Sequence, residues 1–321
     1  MATVRTLLLV VLILFANRLK GAEQDSIGII VNDWTSQIVM AYITGQLFES
    51  VGHKVRYSFS NTNQQWGALS FGIDHVQVEV WQGTMSEMFE RAVKSGKVID
   101  AGTHDAKTRE DWWYPDYVES ICKGLPDWRA LNKCSSEFSN SGDRKGLYIA
   151  GPWEKPEAAR IRALKMNFKV KTVTHADELW VLLKEANAKR QPIVMFNWTP
   201  NWVEAVYPGK FIEFPEYHPD CETEPGWGIN PNFHQDCGNP KNGWLKKAAW
   251  HKMPDKWPCA YQILQNINFN NQGISKLAAA VDFYGKTPMR AAKEWITDNE
   301  SVWRDWLPSE CDLKESSEVL L

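Results

Sequence analysis

The fold is decided by residues 26–51, SIGIIVNDWTSQIVMAYITGQLFESV, where an apolar run meets an amphipathic one. Ser26–Val31 is short, apolar and rich in β-branched residues, which is typical of a buried strand. Ser36–Val51 repeats apolar residues at helical spacing and is followed by Gly52, which predicts a helix that ends there. A buried strand that leads straight into a helix indicates an α/β sheet with parallel strands.

The same alternation continues outward from this unit. Strands are predicted at His53–Ser58 and His75–Val80, with a short helix around Gln64–Phe71 between them. The polar and aromatic segment Ala101–Ser139 is interpreted as an elaborated crossover, and Leu245–Ala249 as a strand that returns to the first sheet. A second series of strands and helices lies between them: Gly146–Ala150, Pro156–Lys165, Phe168–Val173, Ala176–Ala188 and Ile193–Phe196. Two such series in 321 residues predict two lobes.

The composition is that of a globular protein with an excess of tryptophan. Hydrophobic residues make up 44% of the chain and charged residues 23%, which excludes collagen, coiled coil and disorder. The net charge of −3 argues against nucleic acid as a partner. The chain has 17 tryptophans, and so many large rings with polar edges indicate a role beyond core packing.

Residues 1–22 are interpreted as a signal peptide. Arg5 precedes an apolar stretch, Leu7–Ala16, that is too short to span a bilayer, and the small residues Gly21 and Ala22 follow it. A signal anchor is the alternative. Loss of this segment removes three basic residues and no acid, so the net charge falls from −3 to −6. Since no later stretch reaches about 18 apolar residues, we expect a soluble extracytoplasmic protein, either periplasmic or secreted.

Six cysteines follow this segment, and an even number in an exported chain favours three disulfides. The alternative is a zinc site, because two His-x-x-Cys pairs, at 218–221 and 234–237, offer two nitrogen and two sulfur ligands. We expect disulfides and no metal. The closest pairings along the sequence are Cys122–Cys134, Cys221–Cys237 and Cys259–Cys311.

The proline-rich segment 209–243 is too long for a plain connection and is expected to be functional or pinned. A solvated acidic loop is the preferred interpretation, and calcium binding is the alternative. Its potential calcium ligands are Asp220, Glu222, Glu224 and Asp236. Two glycosylation sequons begin at Asn197 and Asn299, and we expect a sugar only at Asn299.

Four tryptophans recur at one kind of position, just beyond the carboxyl end of a predicted strand. Trp34 and Trp81 follow strands of the first series, and Trp153 and Trp198 follow strands of the second. Ligands of open α/β sheets bind at that edge. Four rings around one crevice form an aromatic box, which attracts quaternary ammonium groups because the negative ring faces meet the cation. Packing of each ring under its own loop is the alternative.

The motifs around these tryptophans resemble those of the glycine betaine/choline/trimethylamine N-oxide-type substrate-binding proteins of ABC importers. They are NDWT at 32–35, VWQGT at 80–84, GPWE at 151–154 and NWTPNW at 197–202. The resemblance runs over residues 25–310 and implies an α/β, two-lobed type II periplasmic-binding-protein fold, each lobe a mainly parallel sheet flanked by helices. The implied boundaries are 23–105 and 241–312 for the first lobe, 106–240 for the second and 313–321 for a flexible tail.

The resemblance also implies a function. The protein is expected to capture a small quaternary or methylated ammonium solute, either trimethylamine N-oxide, glycine betaine or choline, without a cofactor. The partners implied are this solute and an ABC permease, and we expect a monomer that binds no nucleic acid. The ligand box implied by the motifs consists of Trp34, Trp81, Trp153 and Trp198.

A fifth ligand residue, Glu110, is implied by the resemblance to the N-oxide binders, which place a glutamate beside the box. Its carboxylate is expected to attract the cation. A loop acid paired with Arg109 or a lysine is the alternative. Choline binders carry an acid two residues after the first box tryptophan, where this chain has Ser36. A second functional hypothesis is a secreted enzyme that acts on such a solute through acids near Glu110, although the chain has no Gly-x-Ser-x-Gly or His-Glu-x-x-His motif.

Overall fold

A computed structural model describes residues 26–139, 144–153 and 155–311. The predicted signal peptide (1–22), Glu154 of the GPWE motif and the predicted tail (313–321) lie outside the described residues. Within the described ranges, no helix combines the length and the apolar character needed to cross a membrane.

The described residues form nine strands and thirteen α-helices. The strands are β1 (Ser26–Val31), β2 (Lys54–Phe59), β3 (Val76–Trp81), β4 (Val98–Pro115), β5 (Gly146–Ala150), β6 (Phe168–Thr172), β7 (Val194–Thr199), β8 (Gly209–Phe211) and β9 (Gly243–Trp250). The helices of the first two thirds are α1 (Thr35–Ser50), α2 (Gln65–Phe71), α3 (Gln82–Lys94), α4 (Trp128–Lys133), α5 (Glu157–Ala163), α6 (Ala176–Lys189), α7 (Val203–Val206) and α8 (Asp220–Thr223). The helices of the last third are α9 (Met253–Lys256), α10 (Pro258–Asn266), α11 (Asn271–Asp282), α12 (Pro288–Asp298) and α13 (Glu300–Arg304).

The strands are arranged in the order β2-β1-β3-β9-β4-β7-β5-β6, and β8 pairs with the end of β4. The pairs of β1 with β2 and β3 are parallel, as are those of β5 with β6 and β7. The pairs made by β4 and β9 are antiparallel. The predicted α/β architecture with two series is therefore confirmed, but each half of the sheet is mixed rather than mainly parallel. The antiparallel strands lie where the halves meet.

Strand β4 joins the two halves of the sheet. Its residues up to Thr108 pair with β9, and its residues from Arg109 onward pair with β7. We define the first half of the sheet as the strands β2, β1, β3 and β9 with β4 up to Thr108. The second half consists of β4 from Arg109 onward with β7, β5, β6 and β8. Helices α11 and α12 pack on α1, so the C-terminal part of the described chain returns to the first half.

The interpretation of Ala101–Ser139 as a crossover was wrong for its first part, because Val98–Pro115 is one strand of 18 residues. Buried Ala106 and Thr108 alternate with exposed Asp105 and Lys107, so one face of the strand is polar and resembles a loop in composition. Beyond Arg109 the strand is buried on both faces, and its run of aromatic residues no longer alternates.

The three pairs of cysteines that the sequence predicts face each other in the structure. The Cα–Cα distances are 5.8 Å for Cys122–Cys134, 6.4 Å for Cys221–Cys237 and 5.8 Å for Cys259–Cys311, within the range that a disulfide requires. The pair Cys221–Cys237 brings together the two sulfurs that the zinc alternative needs as separate ligands. In the described ranges, histidine, cysteine and acidic side chains form no group of three or more around a point that could hold a metal ion.

Candidate functional site

The four predicted tryptophans line one cavity of about 270 Å³ between the two halves of the sheet. Trp34 directly precedes α1 and Trp81 directly precedes α3, so both stand where a strand of the first half gives way to a helix. Trp153 follows β5, and Trp198 lies near the end of β7 in the second half. Glu110 also lines this cavity, together with Thr62, Thr84, Met85 and Phe196.

Two pairs of rings in the cavity stand nearly at right angles. The ring centroids of Trp34 and Trp153 are 6.1 Å apart with an interplanar angle of 82°, and those of Trp153 and Trp198 are 5.2 Å apart at 86°. The ring of Phe196 lies 5.5 Å from that of Trp153 and adds a further wall. Perpendicular rings present their π faces from different directions, which suits a compact cation.

Behind the two tryptophans of the first half lies Glu79, a residue that the sequence analysis missed. The indole N–H groups of Trp34 and Trp81 both donate to its Oε2, at 2.6 Å and 2.9 Å. The hydroxyl of Ser36 donates to the same oxygen at 3.2 Å. Burial raises the pKa of Glu79 to about 7, because its charge has lost water and the three hydrogen bonds recover only part of that loss.

Glu110 is buried on β4, with its carboxylate at the wall of the cavity. Its Oε1 accepts hydrogen bonds from the hydroxyl of Thr84 and from Nζ of Lys155, the latter at 3.1 Å. Arg109 instead pairs with Glu213 at 3.1 Å. The alternative of an acid paired with a lysine is therefore correct for the pairing, but Glu110 belongs to a strand rather than to a solvated loop.

Lys155 links the two halves of the sheet at the cavity. Its Nζ also donates to the carbonyl of Gly83 in the first half, at 3.1 Å, and lies 5.2 Å from the ring centroid of Phe196. Gly83 matters because a Cβ at this position would lie 2.6 Å from Oε2 of Glu110. Glycine thus lets the carboxylate and the ammonium group approach the main chain of α3.

Some of the residues missed by the sequence analysis have recognisable patterns. Glu79 is an acid in an apolar strand, two positions before Trp81, and so lies on the same face of that strand. Phe196 stands in the same relation to Trp198 on β7. Lys155 has no comparable pattern, because its position next to the cavity depends on how the two halves meet.

A second buried acid, Glu157, lies in the second half, away from the cavity lining. It accepts the indole N–H of Trp112 at 2.6 Å and the hydroxyl of Tyr148 at 3.3 Å. The guanidinium of Arg160 lies 3.5 Å from Glu157 and 3.0 Å from Asp111. These five side chains are buried and join β4, β5 and α5.

The acids proposed as calcium ligands do not converge. Asp236 is buried and accepts the backbone N–H of Asn230 at 2.5 Å, whereas the other three are exposed. The other three are Asp220, Glu222 and Glu224. Of the two sequons, Asn197 is fully buried and Asn299 is partly buried.

Comparison with known proteins places this fold and cavity in a class. A family model described as the substrate binding domain of the ABC-type glycine betaine transport system matches residues 25–298, and the chain belongs to this family. Members of the family are extracytoplasmic solute-binding proteins and not enzymes, so the hypothesis of a secreted enzyme is not supported.

Individual relatives are also similar to this chain. The trimethylamine N-oxide-binding protein of Pelagibacter ubique (strain HTCC1062) is 35% identical over 283 residues, which cover 85% of this chain and 87% of that protein. An ABC-transporter choline-binding protein in complex with choline has the same fold, with a TM-score of 0.71 at 16% identity over 92% of this chain and 96% of its own. The lactococcal OpuAC in its closed conformation with glycine betaine gives a TM-score of 0.66 at 18% identity over 88% of this chain and 100% of its own.

Proposed function

We propose that this protein captures a small trimethylammonium solute in the tryptophan-lined cavity, with trimethylamine N-oxide as the first candidate. The observation that carries the proposal is the convergence of Trp34, Trp81, Trp153 and Trp198 on one cavity of about 270 Å³. These rings come from both halves of the sheet, so a solute held among them contacts both halves.

The chemistry of the cavity supports a ligand with a methylated cation. Methyl groups around a quaternary nitrogen cannot donate strong hydrogen bonds, so such a cation is recognised by ring faces and by nearby carboxylates. The aromatic walls supply the faces, and Glu110 supplies a buried carboxylate. We therefore assign Glu110 to the ligand site together with the four rings.

The polar end of the ligand decides among the three solutes. The hydroxyl of Thr84 donates its one proton to Glu110, whereas the ammonium group of Lys155 has a third N–H besides those that it donates to Glu110 and Gly83. A charged donor at this place suits the negative oxygen of an N-oxide or a carboxylate better than the hydroxyl of choline. The 35% identity to a trimethylamine N-oxide-binding protein favours the N-oxide over the carboxylate.

The proposal includes the cellular context. We propose that residues 1–22 direct export, and that the protein is a monomer that delivers its solute to an ABC permease. We further propose that 23–105 with 241–312 and 106–240 act as two lobes that close on the ligand. The disulfides 122–134, 221–237 and 259–311 fit an oxidising compartment.

A panel of thermal-shift measurements tests the proposal. Trimethylamine N-oxide, glycine betaine and choline are each added to the purified protein, with 3,3-dimethylbutan-1-ol as the uncharged analogue of choline. A solute at 100 times its dissociation constant stabilises the protein by about 2.7 kcal/mol, so a clear rise in Tm is expected for the N-oxide. The solute should also be recovered unchanged after prolonged incubation. The absence of a shift with all three charged solutes would overturn the proposal.

A further inference from the structure

Glu79 does not line the cavity itself but contacts two tryptophans that do. It is fully buried in β3, behind the two box tryptophans of the first half. Its Oε2 accepts three hydrogen bonds, from Trp34, Trp81 and Ser36, while its Oε1 has no hydrogen-bond partner among the residues that the structure describes. A buried polar atom without a partner is costly, so its presence requires an explanation.

The charge of Glu79 has no counterpart on the elements that surround it. Strand β1 carries no ionisable side chain. On β9, Lys246 pairs with Asp100 at 2.7 Å, and Lys247 donates to the carbonyls of Gln265 and Ile267. The charged residues of α1 and α3 are Glu49, Glu87, Glu90, Arg91 and Lys94, and α1 also carries the phenol of Tyr42. Within the described residues, no ion pair includes Glu79, and its pKa shift has burial and hydrogen bonds as its causes.

Glu110 and Lys155 form their own pair at 3.1 Å on the cavity wall. Two acids lie beside Trp34. Asp282 accepts a hydrogen bond from the hydroxyl of Thr35 at 2.8 Å, and burial raises its pKa to about 6. Burial also raises the pKa of Asp33, which lies 3.7 Å from His175. The titrations of Asp282 and Asp33 must therefore be separated from that of Glu79 in an experiment.

We propose that Glu79 is a specificity-determining residue: one carboxylate oxygen fixes the two rings of the first half, and its negative charge is balanced by the cation of the ligand. The inference rests on the proposed function and deepens it. Hydrogen bonds from both indoles to a charged acceptor pull electron density toward the rings, which makes their faces more negative. The negative charge of Glu79 therefore stays unbalanced until a cation binds beside Trp34 and Trp81.

This arrangement couples cation binding to the ionisation of Glu79. A cation between Trp34 and Trp81 stabilises the charged carboxylate and disfavours the protonated one. At a pH below the Glu79 pKa of about 7, the unliganded protein holds a proton on this carboxylate, and the bound cation must displace that proton. Because a protonated Glu79 should bind the cation about tenfold more weakly than a charged one, as a neutral side chain at this position would, affinity is expected to fall about eightfold from pH 8.5 to pH 5.5.

The test uses choline, since its charge does not change with pH. The substitution Glu79→Gln keeps an oxygen that can accept both indole N–H groups and removes the charge. We expect Glu79→Gln to bind choline about tenfold more weakly at pH 8.5, with less than about a threefold change between pH 8.5 and 5.5. The substitution Asp282→Asn is the matched control, and it should retain the wild-type dependence on pH.

A measurement on the unmodified protein keeps the inference testable if Glu79→Gln does not fold. Calorimetry of choline binding at pH 7, in buffers of different ionisation enthalpy, should reveal the release of about half a proton per ligand. Binding without proton release, or a wild-type pH dependence in Glu79→Gln, would overturn the role of Glu79 and leave the proposed function standing. Failure of the unmodified protein to bind any trimethylammonium solute would overturn both.

Discussion

Two buried glutamates, Glu79 in the first half of the sheet and Glu157 in the second, receive an indole N–H at the same distance of 2.6 Å. Their surroundings differ in one respect. Glu157 lies 3.5 Å from the guanidinium of Arg160, which also binds Asp111, whereas Glu79 has no cation among the described residues. The first acid is open to a ligand's charge, and the second shares the guanidinium of Arg160 with Asp111.

This difference indicates that Glu157 stabilises the fold, whereas Glu79 serves the binding site. Removing the cation from a buried ion-pair network leaves the remaining charges unpaired and weakens the fold. The charge of Glu79 instead has no counterion among the described residues, and a bound cation can balance it. Glu110 is intermediate, because Lys155 and Thr84 hold one of its oxygens while the other, Oε2, has no hydrogen-bond partner.

The largest effect is expected from removing the cation that Asp111 and Glu157 share. Replacing Arg160 with methionine leaves the carboxylates of Asp111 and Glu157 buried without a cation, so the free energy of unfolding should fall by about 3–5 kcal/mol. Glu79→Gln, measured alongside by urea denaturation, should cost about 1 kcal/mol or less. Equal losses would show that the two acids do not differ as proposed.

The disulfides of the two halves differ in the length of chain that they close. Cys259–Cys311 spans 52 residues and belongs to the first half, while Cys122–Cys134 spans 12 and belongs to the second. Loop-closure entropy predicts losses of about 4 and about 3 kcal/mol when each pair is replaced by serine. Peptide mapping without reductant should first find the three predicted pairs linked. Free thiols at 221 and 237 together with bound zinc would favour the zinc alternative.

Each half of the box should contribute to binding. Trp81→Ala and Trp198→Ala are each expected to weaken binding by about 2 kcal/mol, about 30-fold, because a desolvated cation–π contact is lost. Phenylalanine at either position should cost less. Trp227→Ala is the matched control, since Trp227 is 41% exposed and does not line the cavity. Wild-type affinity in the double alanine variant would refute the box.

The smallest of these effects is expected at Glu110, whose carboxylate pairs with Lys155. Glu110→Gln should weaken the binding of choline or trimethylamine N-oxide about tenfold, because a charge-assisted contact is lost. Glycine betaine should bind unchanged or better, since its own carboxylate is no longer repelled. Isothermal titration with the three solutes measures this, and an equal loss for all three would remove Glu110 from the site.

The parts of the molecule that depend on local sequence could be predicted. The positions of Trp34 and Trp81 follow from short strands that lead into helices, because the carboxyl ends of parallel strands lie at one edge. Strand β4 could not be predicted, since the alternation of polar residues along its first part resembles a loop in composition.

The buried polar contacts of the site could not be predicted either. In a half-buried strand an isolated acid such as Glu79 is expected to face solvent, and only the helices packed on both sides of the sheet bury it. Lys155 reaches Glu110 across a boundary that no spacing in the sequence defines. Long-range geometry, rather than residue type, decides both contacts.

The course of β4 has a kinetic consequence. Glu110 lies two residues beyond Thr108, the last residue of the strand that pairs with the first half, and its carboxylate meets Thr84 of that half. If the two proposed lobes open by rotation at this point, the carboxylate leaves Thr84 in the same event that opens the cavity. We expect one exponential phase of ligand dissociation in stopped-flow tryptophan fluorescence, and Gly83→Ala, whose Cβ would crowd Glu110, should accelerate that phase. The residence time of the ligand would then depend on how fast β4 rotates near Thr108, rather than on the sum of the contacts with the rings.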